Sequence, residues 1–129
     1  MPKHIIIADD HPLFSAAMSS LVKHLDKNFI INEVKNCSSL IELLNNSHSI
    51  VSLVLLDLKL LRPHKFEELM SIRKQFPSIP IVIISVCEDN TIVQQVIQYG
   101  ASGFISKSLD MPTMAQAISQ ILKGDVWFP

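Results

Sequence analysis

The stretch that most constrains this chain is Ser52-Leu53-Val54-Leu55-Leu56-Asp57, the most apolar run in the sequence, closed by a carboxylate. A short apolar run of this kind reads as a strand buried on both faces, the pattern of a parallel sheet covered by helices. An acid at its end is either buried at high cost or lifted to the rim of the sheet, and the rim costs less. In open parallel sheets, ligands bind beyond the carboxyl ends of the strands. Asp57 is therefore a candidate reactive or metal-binding carboxylate. Its plain alternative is a solvated or capping acid that opens a loop.

The flanking sequence supplies the rest of such a sheet. Residues 3–8 read as a first strand. Pro12 suits a first helical turn, and Leu13, Ala17, Leu21 and Leu25 then mark one face of a helix. Residues 29–34 read as a second strand, and Ser38 and Ser39 as caps of a helix carrying Leu40, Ile41, Leu43 and Leu44. After the strand at 51–56 comes a charged loop from Lys59 to Lys65 with Pro63 inside it. A helix with Phe66, Leu69, Met70, Arg73 and Phe76 follows, closed by Pro77. Ile81 to Ile84 form a fourth strand ending at Ser85. Asp89 and Asn90 offer caps for a helix with Ile92, Val93, Val96 and Ile97, and Gly100 stops it. Gly103 to Ile105 form a fifth strand ending near Lys107, and Asp110 caps a last helix that Gly124 stops. Strict alternation of strand and helix predicts a parallel sheet with helices on both faces.

Composition removes several function classes. With 129 residues and 48% hydrophobic residues, the chain is one domain with a real core, not a disordered segment. No uncharged apolar run approaches the ~18 residues of a membrane span, and the apolar run at the N-terminus is too short for a signal-peptide core. A cytoplasmic protein is expected. The net charge is −1 with the 11 Lys and Arg scattered, so this chain alone is not expected to bind DNA. Cys37 and Cys87 are too few for a disulfide framework or zinc site and read as reduced, structural thiols. The five histidines include no pair at helical ligand spacing.

The architecture gives Asp57 company. Strands one, three, four and five end at Asp9-Asp10, Asp57, Ser85 and Lys107, and in a parallel sheet those ends share one edge. Each has an ordinary explanation alone: Asp10 a cap, Ser85 a turn, Lys107 a surface lysine. Together they bring three carboxylates, a hydroxyl and an ammonium to one rim. Two carboxylates ~5 Å apart repel by about 3 kcal/mol at an effective dielectric of 20. A hard divalent cation removes that cost, and few carboxylates with open water positions suit Mg2+ better than Ca2+. Such a cation beside a free carboxylate, with a lysine and a hydroxyl opposite, is a site for a phosphoryl group. Asp57 would be the nucleophile, Lys107 would neutralise phosphoryl oxygens, and Ser85 would hydrogen-bond one of them.

Four segments, in order, carry a resemblance to a known family: Ile7-Ala8-Asp9-Asp10-His11-Pro12-Leu13-Phe14, Val54-Leu55-Leu56-Asp57-Leu58, Ile83-Ile84-Ser85 and Gly100-Ala101-Ser102-Gly103-Phe104-Ile105-Ser106-Lys107. They resemble the receiver domain of bacterial two-component response regulators, over residues 3 to about 122. The Asp-Asp-His-Pro-Leu-Phe opening, Lys107 followed by Ser, and the ending Ile121 to Trp127 look like the subfamily whose receiver precedes a LuxR/NarL-type helix-turn-helix. The resemblance implies a flavodoxin-like (βα)5 three-layer sandwich with a five-stranded parallel sheet in the order 2-1-3-4-5. It implies a receiver over 1–122, with 123–129 beginning a linker to an output domain outside this chain. Asp57 would accept a phosphoryl group from a sensor histidine kinase, with Asp9, Asp10, Asp57 and the backbone carbonyl of Lys59 binding Mg2+. Ser85 and Phe104 fall on the switch positions, where the hydroxyl moves to the phosphoryl group and the ring turns inward. The domain would catalyse its own phosphotransfer and dephosphorylation and control a transcriptional, DNA-binding output. A homodimer could form through the fourth helix, fifth strand and fifth helix, or through helices one and five.

The chain departs from that pattern after Asp57. Leu60-Leu61 replace the usual Met-Pro, and Lys65 stands where a Gly is usual, so two backbone constraints are missing. The Lys59 side chain could reach the phosphoryl group or point to solvent, and Phe104 could be a plain core aromatic. The main rival function is a pseudo-receiver, a protein-interaction module that signals without phosphorylation. A flavodoxin-like cofactor binder is discounted, because Asp9 and Asp10 would repel an anionic cofactor.

Overall fold

A computed structural model describes residues 3–61, 65–86 and 89–129. Strands β1 (His4–Ala8), β2 (Ile30–Val34), β3 (Val51–Asp57), β4 (Ile81–Ser85) and β5 (Gly103–Ser106) alternate with helices α1 (Pro12–Leu25), α2 (Cys37–Ser47), α3 (Lys65–Gln75), α4 (Asn90–Gln98) and α5 (Met111–Leu122). The strands form one parallel sheet in the order β2-β1-β3-β4-β5. The expected fold class and strand order are both found.

Alternation along the central strands divides the core in two. Ile6, Ala8, Val54, Leu56, Ile83 and Phe104 pack with Leu40 and Leu44 of α2, Leu69 and Ile72 of α3, and Val93 and Val96 of α4. Ile5, Ile7, Leu53, Leu55, Ile84 and Ile105 pack with Met18 and Val22 of α1 and Met114, Ile118 and Ile121 of α5. At roughly 2 kcal/mol for each fully buried large apolar side chain, these layers dominate the favourable side of folding. They also fix the register that brings the strand ends level.

Local chemistry ends the helices where the sequence suggests, with two corrections. Asn36, not Ser38 or Ser39, caps α2, its side chain accepting from Ser39 N–H at 2.8 Å. The buried face of α1 is Ser15, Met18, Leu21 and Val22, whereas Leu13 is 88% exposed and Leu25 is exposed too. Asp89 and Asp110 cap α4 and α5 as expected, and Gly100 and Gly124 take positive φ after them.

Two further contacts brace the sheet. Arg73 of α3 donates to the carbonyls of Gly100 (2.9 Å), Pro77 (3.1 Å) and Ile79 (2.7 Å), tying the ends of α3 and α4 to the loop before β4. Residues after α5 turn back along β5: Trp127 N–H donates to Ser102 and Phe104 N–H to Trp127, adding one rung to the sheet edge. Cys37 is half-buried, and its thiol is pushed up to about 12 by burial and by the hydrogen bond and charge of Glu68, which suits an inert structural thiol. Cys87 and Pro63 lie outside the described residues.

Candidate functional site

The carboxyl ends of β1, β3, β4 and β5 meet at one rim. Asp57 ends β3 opposite Ile84, Ser85 ends β4 opposite Ser106, and Lys107 follows, its N–H donating to Ser85 at 2.8 Å. Asp9 follows β1, its N–H donating to Val34 at 3.0 Å. Asp9, Asp57 and Ser85 are each the first polar residue after a buried apolar run, and Lys107 comes one residue later, after the buried Ser106.

Asp9 and Asp57 are each only 4% exposed, whereas Asp10 faces solvent. Buried carboxylates need partners, and both have them. Asp9 Oδ1 accepts the His11 N–H at 2.8 Å and Asp57 Oδ1 accepts the Lys59 N–H at 3.0 Å, each an Asx-type turn. The Lys107 ammonium spans their other oxygens, 3.1 Å from Asp9 Oδ2 and 3.2 Å from Asp57 Oδ2. Burial works against its charge, but the two carboxylates outweigh it and raise its pKa, so Lys107 is firmly cationic.

Ligand atoms of Asp9, Asp10, His11 and Asp57 all lie within 4.8 Å of one another. Asp9 Oδ2 is buried and accepts no hydrogen bond of acceptable geometry, its 3.1 Å approach to Lys107 being an ion pair only. Two buried carboxylates, one of them with an oxygen that accepts no hydrogen bond, and one exposed carboxylate form a hard donor set, which fits Mg2+.

The expected residues therefore do come together: Asp9, Asp10, Asp57 and Lys107 by the distances given above, Ser85 as the buried end of the adjacent strand. Phe104 is fully buried beneath α4, its ring inward, beside Val93 and Val96. Ser108 follows Lys107. Its N–H donates to Ser106 Oγ at 3.2 Å and the two hydroxyls lie 2.7 Å apart, which fixes the turn carrying Lys107. The loop after Asp57 starts as a tight 3-10 turn over Leu58–Leu61, with Leu58 and Leu61 buried. Apolar anchoring thus stands in for the missing Pro over the part of the loop that is described.

Lys59 was legible only in part. Its side chain does not point freely into solvent; it lies 3.6 Å from Asp10 Oδ1, with both side chains about half exposed. His11 was missed altogether as a member of the donor cluster. The signal available was its place directly after Asp9-Asp10.

Comparison with known proteins identifies the family and the fold. A family model described as "Response regulator receiver domain" matches residues 5–119. The chain is 39% identical over 125 residues to the "Glycerol metabolism activator" of Pseudomonas putida, covering 97% of this chain and 56% of that protein. It is 27% identical over 127 residues to the "Nitrate/nitrite response regulator protein NarP" of Escherichia coli K12, covering 98% and 58%. It superposes with a TM-score of 0.85, at 26% identity, on the crystal structure of a LuxR family DNA-binding response regulator from Silicibacter pomeroyi, covering 98% of this chain and 97% of that one. The chain spans a little over half the length of the curated relatives it matches.

Proposed function

Because the chain belongs to the response regulator receiver domain family of two-component signalling, we propose that Asp57 is its phosphoacceptor, supplied by the phosphohistidine of a sensor kinase. The observation that carries this reading is the Lys107 ammonium bridging Asp57 and Asp9 at 3.2 and 3.1 Å. An Asp57 oxygen attacks phosphorus, the P–N bond to the imidazole breaks, and the electron pair leaves on the ring nitrogen. The product is an acyl phosphate on Asp57, which water later hydrolyses to restore the carboxylate. Lys107, already beside Asp57, neutralises one phosphoryl oxygen, and the Ser85 hydroxyl donates to another.

Charge explains why a metal belongs here. Three carboxylates against Lys107 and Lys59 leave one net negative charge, and phosphorylation adds about one more. Asp9, Asp10, Asp57 and the Lys59 carbonyl would hold Mg2+, which supplies two positive charges at the phosphoryl oxygens. Ser85 and Phe104 then form the switch: both lie on the sheet face that α4 covers, so moving the hydroxyl changes the packing under that helix.

By the same reading the domain is cytoplasmic and controls a DNA-binding output domain while not binding DNA itself. Among the described residues no helix is long and apolar enough to cross a membrane. A phosphorylation-independent pseudo-receiver is not favoured, since acceptor, acids, hydroxyl and lysine are all retained on one rim. The test is incubation with acetyl phosphate and Mg2+ followed by intact-mass measurement. One phosphoryl group is expected on the wild type and none on Asp57→Asn. An Asp57→Asn protein that gains the same mass would remove Asp57 from the role.

A further inference from the structure

The segment Asp9-Asp10-His11-Pro12-Leu13-Phe14 contributes two acids to the site, but the phosphoacceptor reading gives Phe14 no task. Phe14 lies in the first turn of α1. Its neighbour Leu13 is 88% exposed, whereas Phe14 is half-buried and packs against the core layer between α1, α5 and the sheet. The Lys107 ammonium sits over its ring, 4.5 Å from Nζ to the ring centroid. The lysine side chain is 10% exposed, so little water competes for the ammonium there.

An ammonium carries three N–H donors and no acceptor. Asp9 Oδ2 and Asp57 Oδ2 occupy two sides of Lys107, and the ring face occupies a third. The negative face of an aromatic ring attracts a cation but offers no lone pair. A third carboxylate or carbonyl in its place would compete with Asp57 for the ammonium. An aliphatic side chain would leave that side to water. The ring alone holds the charge in place while leaving it free to serve incoming phosphoryl oxygens.

We propose that Phe14 is a positioning residue of phosphotransfer, its ring face holding the Lys107 ammonium between Asp9 and Asp57. The role rests on the phosphoacceptor reading of Asp57. A cation–π contact this far shielded from water corresponds to roughly a five- to thirtyfold effect. Phe14→Leu is expected to lower the rate of phosphorylation by acetyl phosphate by about that factor, with Phe14→Tyr and Phe14→Trp close to wild type.

A second readout separates positioning from packing. In protein carrying 13C-lysine, ring current should shift the Lys107 ε-methylene protons upfield, the signal being assigned by its absence in Lys107→Arg. Phe14→Leu should return that signal to the common lysine position while the circular dichroism stays native; Phe14→Tyr should keep it shifted. A wild-type rate in folded Phe14→Leu, equal losses in the Leu, Tyr and Trp variants, or an unshifted wild-type signal each overturns the proposal. Wild-type protein that shows the upfield shift yet takes no phosphoryl group instead refutes the phosphoacceptor reading, and with it any part for Phe14 in phosphotransfer.

Discussion

Replacing Lys107 by Met keeps the length of the side chain and removes its charge. The ammonium stands 3.1 Å from Asp9 Oδ2 and 3.2 Å from Asp57 Oδ2, and both acids are 4% exposed. Each contact is worth about 5 kcal/mol of gross attraction at an effective dielectric of 20, but the desolvation of three charges offsets most of it. Breaking a buried pair by removing one partner typically costs ~3–5 kcal/mol, because the remaining charge is left uncompensated. Here Asp9 and Asp57 each keep a backbone N–H on their other oxygen, from His11 and Lys59. We therefore expect a smaller loss of about 2–4 kcal/mol, or a fall in Tm of roughly 8–16 °C for a domain of this size.

Three features of that loss identify its cause. Millimolar Mg2+ should stabilise Lys107→Met more than wild type, since the metal meets two uncompensated carboxylates. Adding Asp9→Asn to Lys107→Met should recover part of the loss, a coupling that a double-mutant cycle reads directly. The third is the pH dependence. The Lys107 pKa is raised in the folded state, so its stabilisation is fully present below the ordinary lysine value and is lost as pH rises through the raised one. The gap between wild type and variant should thus hold constant through neutrality and close only in strong alkali. The assay is urea denaturation followed by circular dichroism. A loss under about 0.5 kcal/mol, with no coupling to Asp9, would refute the buried ion-pair account.

Two other perturbations follow from contacts outside that triad. Lys59→Gln removes the cation that pairs with Asp10, a proposed Mg2+ ligand; an exposed pair of this kind is worth up to ~1 kcal/mol, so Mg2+ should bind about two- to fivefold more tightly at low salt. The gain should vanish at high ionic strength in a calorimetric titration, and unchanged affinity at low salt would mean Lys59 does not engage Asp10. Arg73→Met strips charged donors from the Gly100, Pro77 and Ile79 carbonyls and should cost roughly 2–3 kcal/mol in urea denaturation without changing phosphorylation at the opposite end of the sheet; a stability within about 0.5 kcal/mol of wild type would contradict the brace.

The strands were legible because burial on both faces leaves few choices. Ile5 to Ala8, Leu53 to Leu56 and Ile81 to Ile84 are continuous apolar runs, and what closes each run is what reaches the rim. That, together with the alternation of strand and helix that puts the strand ends on one edge, is why Asp9, Asp57, Ser85 and Lys107 could be grouped from the sequence. The face of α1 was not legible in the same way. Leu13, Ala17, Leu21 and Leu25 repeat every four residues, and at 100° per residue that stripe drifts about 40° with each step. It winds around the helix, and the sheet selects Met18, Leu21 and Val22 instead. Two serines close by compete with Asn36 for the cap, and only backbone geometry decides which residue is extended at the helix start. The reach of Lys59 to Asp10, of Arg73 to three carbonyls and of Phe14 to Lys107 depends on side-chain direction across loops. Residue type and spacing carry no such information.

The central claim is that Asp57 itself carries the phosphoryl group. After incubation with acetyl phosphate and Mg2+, borohydride reduces an aspartyl phosphate to homoserine, and peptide mass spectrometry locates the converted residue. Homoserine at position 57, absent when the donor or Mg2+ is omitted, is the predicted result. A phosphoryl group held stably on His11 or a serine, with Asp57 unreduced, would contradict it.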